Sequence, residues 1–232
     1  MKKYISYSEL NCWESYNDKY YEQYVECKPF EPNRKMILGK IIHNAIENPH
    51  YKWLEEMNEH NFQKKKQLVA RTLIDKMIWK LGEQQAKNKI NGYEPEKKIG
   101  CDLDDLKLFG IFDGFDSFNR ELDEFKTTDN DDRWNQWTVD FDGQLSFYAL
   151  ILFQKYHSYF REIRLHRLNT VKGTLKTYRT TRSRLDVNRM QKRVTKAVAE
   201  MKFAGIWGKR KSRKEAEDMH KQQLNLEGGD SR

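Results

Sequence analysis

Between Gly110 and Thr128 the chain reads Gly-Ile-Phe-Asp-Gly-Phe-Asp-Ser-Phe-Asn-Arg-Glu-Leu-Asp-Glu-Phe-Lys-Thr-Thr. Apolar and polar residues alternate on either side of a polar break at Asn119-Arg120, which is the period-two signature of a β-hairpin. Successive side chains on a strand point to opposite faces, so Glu124 and Lys126 share one face. If Phe118 and Glu121 close a two-residue turn, Asp113 lies opposite Lys126 and diagonal to Glu124 on that face. Asp116 and Asp123 then fall on the other face. Two carboxylates and one amine meeting in a small volume suit a divalent cation and a hydrolytic water. The arrangement depends on register, because a slip of one residue sends Asp113 to the far side of the sheet.

Helical patterns surround this hairpin. Ser6-x-x-Glu9 reads as a capping box, followed by Leu10, Trp13, Tyr16, Tyr20 and Tyr24 at spacings of three or four. Cys27 to Asn33 holds two prolines and is a loop. A second helix runs from Met36 to Glu47 with His43 and Glu47 one turn apart, and Pro49 ends it. One long polar helix is expected from about Lys52 to Lys87, then a turn at Asn91-Gly92. After the hairpin come a polar loop from Asp129 to Arg133, Trp134 and Trp137. An apolar helix from Gln144 to Gln154 then places Gln144 and Tyr148 on one face at i and i+4. Ile163 to Arg179 alternates as a strand pair around Lys172-Gly173, and Leu185 to Phe203 is a basic amphipathic helix.

The net charge of +8 conceals an asymmetry. Residues 155–214 carry 19 Lys and Arg against the three acids Glu162, Asp186 and Glu200, a net of +16, which leaves −8 for the rest of the chain. A block of that size points to a polyanionic partner, with nucleic acid foremost. No apolar run is long enough to span a membrane, and the start Met-Lys-Lys-Tyr-Ile-Ser lacks the apolar stretch of a signal peptide. Three scattered cysteines, Cys12, Cys27 and Cys101, fit reduced thiols and a cytoplasmic setting in a bacterial cell or phage-infected host.

Five segments in order carry a family likeness: Ser6-Tyr-Ser-Glu-Leu10 with Tyr20, Gly39-x-x-x-His43, Gly110-x-x-Asp113, Glu124-Phe-Lys126-Thr127 and Gln144-x-x-x-Tyr148. With them the chain resembles the PD-(D/E)XK nuclease superfamily. The branch is the one typified by the RecB nuclease domain and by CRISPR-associated and phage exonucleases. The resemblance covers about residues 4–150. It implies an α/β fold with a restriction-endonuclease-like core, in which a mixed central β-sheet is flanked by helices and preceded by a helical portion. The helical portion spans about 4–90 and the nuclease core about 91–208 of a single domain, 1–208, with a charged, disordered tail at 209–232.

The resemblance also implies roles. Asp113 and Glu124 bind Mg²⁺ or Mn²⁺, with the Phe125 carbonyl and His43 as further ligands. Lys126 orients or helps deprotonate the attacking water and offsets phosphate charge, Gln144 positions substrate or water near Lys126, and Tyr148 lies near the phosphate. The activity implied is metal-dependent hydrolysis of DNA phosphodiester bonds, as an exonuclease in recombination, repair or phage DNA processing. The alternative is a non-catalytic nucleic-acid-binding module, or a nuclease-fold subunit of a helicase–nuclease complex with a recombination or helicase protein as partner. Many relatives hold an iron–sulfur cluster on one early and three late cysteines. Here nothing follows Cys101 and the early position reads Tyr16-Asn17, so no cluster is expected. Lys176, Arg179, Arg182 and Arg184, within or just after the second of the paired strands, are then the expected contacts to the phosphate backbone of single- or double-stranded DNA.

Overall fold

The computed structural model describes residues 4–15, 17–28, 31–48, 50–88, 93–130 and 133–210. The expected features at Tyr16, Pro49, Asn91-Gly92 and in the tail from 211 onward lie outside the described residues. The elements are β1 (Tyr4–Ile5), α1 (Tyr7–Ser15), α2 (Asn17–Tyr20) running into a π-helical turn (Tyr21–Glu26), α3 (Arg34–Glu47), α4 (Trp53–Glu59) and α5 (Lys64–Asn88). They continue with β2 (Tyr93–Leu103), β3 (Leu106–Asp116), β4 (Glu121–Thr128), α6 (Gln136–Asp140), α7 (Gly143–Tyr156), β5 (Glu162–Asn169), β6 (Thr174–Thr180) and α8 (Arg184–Phe203).

The strands form one mixed sheet. β2 runs antiparallel along the whole of β3, so the other edge of β3 is shared by β1 at its start and β4 at its end. β4 pairs in parallel with β5, and β5 antiparallel with β6. A parallel pair needs a crossover, which the apolar α7 supplies between β4 and β5. Helices cover both faces. Residues of α1, α7 and α8 pack with β2, β3 and β5 into one core, and α3, α4 and α5 pack with Phe125 and Leu168 into a second. This is an α/β architecture with a mixed sheet between helical layers. Among the described residues, no helix is long and apolar enough to cross a membrane.

Two elements differ from the sequence reading. The long polar helix is two helices, because Asn61 adopts a left-handed backbone (φ 54°) and Phe62 N–H returns to Met57 C=O at 2.9 Å, a Schellman stop. The β3–β4 turn contains four residues, Ser117 to Arg120, rather than two. The Asp116 carboxylate accepts the N–H groups of Phe118 and Asn119 at 3.0 and 2.9 Å, and the left-handed Arg120 (φ 58°) closes the loop. The pairing is Gly114 with Asp123 and Asp116 with Glu121, a shift of two from the expected register. An even shift preserves the faces.

Asp123 lies buried on the opposite face from the Glu124 side chain. There it accepts both Arg164 Nε and Nη2 at 2.8 and 2.9 Å and meets His166 Nε2 at 2.7 Å, fastening β4 to β5. The ends of the chain are fastened too. Ser6 Oγ accepts the Glu9 N–H at 3.4 Å, as a capping residue should. The Glu9 carboxylate turns inward to Tyr20 Oη at 3.0 Å and Arg210 Nη1 at 2.6 Å, and both charged side chains are fully enclosed. The packed body therefore includes Arg210.

Candidate active site

The site forms where β3 and β4 part. Beyond the Gly114–Asp123 pair the ladder between them stops, and the Asp113 side chain enters the gap to accept the Phe125 N–H at 2.7 Å. Continuing the register sets Asp113 across from Glu124 and diagonal to Lys126, the reverse of the expected pairing but on the same face. The fork lets groups from both helical layers reach one point, α3 from one side and α7 from the other.

α3 arrives through a close approach. A Cβ on Gly39 would lie 2.6 Å from Thr127 Oγ1, so only glycine lets the helix sit this near β4. One turn later His43 Nδ1 is 4.0 Å from Asp113 Oδ1, and its ring packs edge-on to Phe125. Burial pushes the His43 pKa down to about 4, against the pull of nearby Glu124, so the ring is neutral at pH 7 and carries a free lone pair. α7 arrives with Gln144 and Tyr148. Gln144 Oε1 accepts from Lys126 Nζ at 2.7 Å, while its Nε2 donates to Glu124 Oε1 at 2.8 Å and to Tyr148 Oη at 2.7 Å. Lys126 Nζ also donates to Glu124 Oε1 at 2.6 Å. Gln144 thus holds the acid and the amine in fixed relation.

The Tyr148 hydroxyl proton goes to the Ile111 carbonyl at 2.6 Å, and burial raises its pKa. Its donor is committed to the protein, so Tyr148 orients Gln144 instead of touching phosphate. A Cβ on Gly110 would meet the Tyr148 ring at 3.0 Å, which accounts for the glycine beneath it.

Too many acids converge here for all to ionise. Burial first, then the neighbouring Asp113, pushes the Glu124 carboxyl up to about 8. Burial raises Asp113 to about 6 although Lys126 opposes it. Burial lowers the Lys126 pKa, but Glu124 and Asp113 more than offset it and the amine stays protonated. Two residues missed by the sequence reading as site members complete the cluster. Glu47 follows His43 by one turn, and ligand atoms of His43, Glu47 and Asp113 lie within 4.8 Å of one another. Burial and then the adjacent Glu96 and Asp113 push Glu47 up to about 8. Glu96 stands opposite Asp113 in the β2–β3 register, on a left-handed backbone (φ 45°). The sequence signal for Glu47 is its i, i+4 spacing from His43, and for Glu96 its place with Glu94 just before the hairpin strand, as a candidate accessory ligand not assigned to the site.

These shifts have a consequence for stability. Unfolded carboxyls titrate near ~4, so between about pH 4 and pH 8 the folded chain holds protons that the unfolded chain has released. These carboxyls make stability fall as pH rises through that window, and the depressed His43 opposes them only below its ordinary value of about 6.5. In EDTA the thermal midpoint is expected to decline between pH 5 and pH 8.5, and Glu124→Gln is expected to flatten the decline. An equally steep decline in the variant would show that other groups carry it.

The basic residues expected to hold phosphate are sorted by the structure. The register aligns Lys126, Arg167 and Lys176 in one row on the face that carries the site. Lys176 Nζ lies over the Tyr178 ring at 4.7 Å. Arg179 is exposed and ion-paired to Glu162 at 2.5 Å, and Arg184 opens α8 at the surface. Arg182 does not belong with them. It is buried, with its guanidinium donating to Ser146 Oγ at 2.8 Å and to the carbonyls of Val139 and Asp142 at 2.9 and 3.2 Å. Its donors secure the start of α7 and none faces a phosphate.

No protein-family model matches the chain, and no curated protein does. Among solved structures, a Eubacterium rectale protein provisionally named an exonuclease superposes with a TM-score of 0.59 at 11% identity, covering 84% of this chain and 80% of its own. That likeness is one of fold. A second, SSO0001, aligns over 75% of this chain and 80% of its own with a TM-score of 0.35 and 11% identity, too weak to carry an argument.

Proposed function

We propose that this chain is a metal-dependent DNA nuclease that hydrolyses phosphodiester bonds, acting as an exonuclease in recombination, repair or phage DNA processing. One observation carries the reading: Glu124 Oε2 is buried with no N–H donor, and the Glu124 carboxyl meets that of Asp113. A buried carboxylate oxygen left bare is costly unless a proton or a cation meets it. The donors of the site are carboxylate oxygens and one neutral imidazole, with the Phe125 backbone beside that imidazole, a set that fits Mg²⁺ or Mn²⁺. Asp113, Glu124, the Phe125 carbonyl and His43 would hold the ion; of these, Asp113 and His43 share with Glu47 a set of ligand atoms within 4.8 Å of one another.

The ion, when bound, supplies Lewis-acid stabilisation and a more acidic water. The chain's own residues do the rest. Lys126, kept cationic by its two acids, donates to the attacking water or to a non-bridging phosphate oxygen. Gln144 fixes where that ammonium stands, and Tyr148 fixes Gln144. Lys176 lies in the same row as Lys126 and offers positive charge to the strand leading away from the scissile bond.

The test is digestion of end-labelled linear, closed circular and single-stranded DNA with Mg²⁺, Mn²⁺ or EDTA. Linear DNA should shorten from its ends only with metal, while circles persist. Tight binding without cleavage of any substrate would identify a non-catalytic module instead. Cleavage of circles would reassign the enzyme as an endonuclease.

A further inference from the structure

Large aromatic side chains at a surface normally find cover, yet α6 and its C-cap residue expose two. Trp137 and Phe141 are each 68% exposed and pack against one another with ring centroids 5.1 Å apart. The helix beneath them is only five residues long but firmly set. Asn135 and Thr138 form a reciprocal capping box, Gln136 Nε2 donates to the Arg179 carbonyl at 2.8 Å, and Arg182 grips the carbonyls of Val139 and Asp142. The buried Arg182 therefore has a purpose: it anchors the segment that presents the two rings.

Their position ties them to the site. Phe141 precedes Gln144 by three residues, so the two Cα atoms are at most about 11 Å apart. That is less than the span of two or three extended nucleotides. α6 also lies on β6, where Tyr178 Oη donates to the Trp134 carbonyl at 2.6 Å and Lys176 covers the Tyr178 ring. Lys176 is exposed on β6, against which α6 packs, and Arg133 is exposed just before α6, whereas Arg167, between Lys126 and Lys176 in the register, is buried. The exposed cations Lys176 and Arg133 beside a bare aromatic pair complement one ligand best, a single strand of nucleic acid, with charge for its phosphates and ring faces for its bases.

We propose that Trp137 and Phe141 form a stacking platform that takes unpaired bases of the strand entering the fork. This rests on the nuclease reading and adds to it a preference for single-stranded or frayed ends. The platform serves as a positioning surface and touches none of the reacting groups.

The experiment is fluorescence anisotropy in EDTA, with the intact chain and two labelled twelve-residue strands, one of thymidines and one abasic throughout. The parent should bind the thymidine strand about tenfold or more tightly than the abasic one. Trp137→Ala/Phe141→Ala should erase that preference, leave the abasic affinity unchanged and keep the parent's thermal midpoint. A double variant that retains the preference overturns the platform, as does a parent that shows none. If the double variant instead alters only the oligomeric state, the patch is a protein interface and the proposal fails. Digestion measured in parallel separates the two claims. A base preference without cleavage sinks the nuclease reading alone, and cleavage without base preference sinks the platform alone.

Discussion

Lys126→Ala is expected to slow DNA hydrolysis by about 10²–10⁴-fold, the range for removing one positioned proton-transfer or charge-stabilising group. Only one nitrogen occupies the place where Glu124 Oε1 and Gln144 Oε1 both point, at 2.6 and 2.7 Å. Its removal strips Gln144 Oε1 of its donor, leaves Glu124 Oε1 with Gln144 Nε2 alone, and takes away the positive charge beside the two acids. Arginine should not rescue it, because a planar fork cannot stand in for a compact ammonium in so tight a clamp. DNA affinity should change little, since the wider basic surface remains. Single-turnover cleavage measured alongside binding decides the matter. A variant that cleaves at the parent's rate would remove Lys126 from the chemistry, and one that loses binding and cleavage equally would make it a docking residue.

Arg210→Ala is expected to destabilise the fold by about 3–5 kcal/mol, because Glu9 would be left charged and enclosed without its partner. For a chain of this size each kcal/mol moves the midpoint by about 2–4 °C, so the loss should be about 6–20 °C. Tyr20 would still donate to Glu9 but cannot neutralise it. The pair need not be stabilising in itself. Glu9→Leu combined with Arg210→Met should recover most of the loss, since both charges then disappear together. Differential scanning calorimetry of the three variants tests this. A single variant as stable as the parent would mean that water reaches Glu9, and a double variant worse than the single would mean that the ion pair contributes net stability.

What the sequence disclosed follows from how local each signal is. The i, i+2 pair Glu124 and Lys126, the i, i+4 pair Gln144 and Tyr148, and Gly39 with His43 are set by strand and helix periods, and the fold brings them to one point. The α/β class was implied by the resemblance that the ordered motifs carry. The turn length was not, because the Asp116 side chain mimics backbone in a loop whose residues would equally suit a two-residue hairpin. Glu47 reaches the cluster through its helical spacing from His43, but Glu96 does so only through the β2–β3 pairing, which no local pattern encodes. Arg182 and Lys176 look alike in a list of basic residues, yet one serves carbonyls inside and the other faces outward. The Glu9–Arg210 pair links opposite ends of the chain, and nothing near either residue announces it.

The claim on which the rest depends is that the fork binds a divalent cation through Asp113 and Glu124. Isothermal titration of Mn²⁺ into the purified chain near pH 8, without DNA, addresses it directly. The parent should show saturable binding with proton release, because the cation displaces protons held by raised carboxyls. Asp113→Asn and Glu124→Gln should each weaken that binding by at least about tenfold. A parent that binds no Mn²⁺, or variants that bind it as the parent does, would contradict the account.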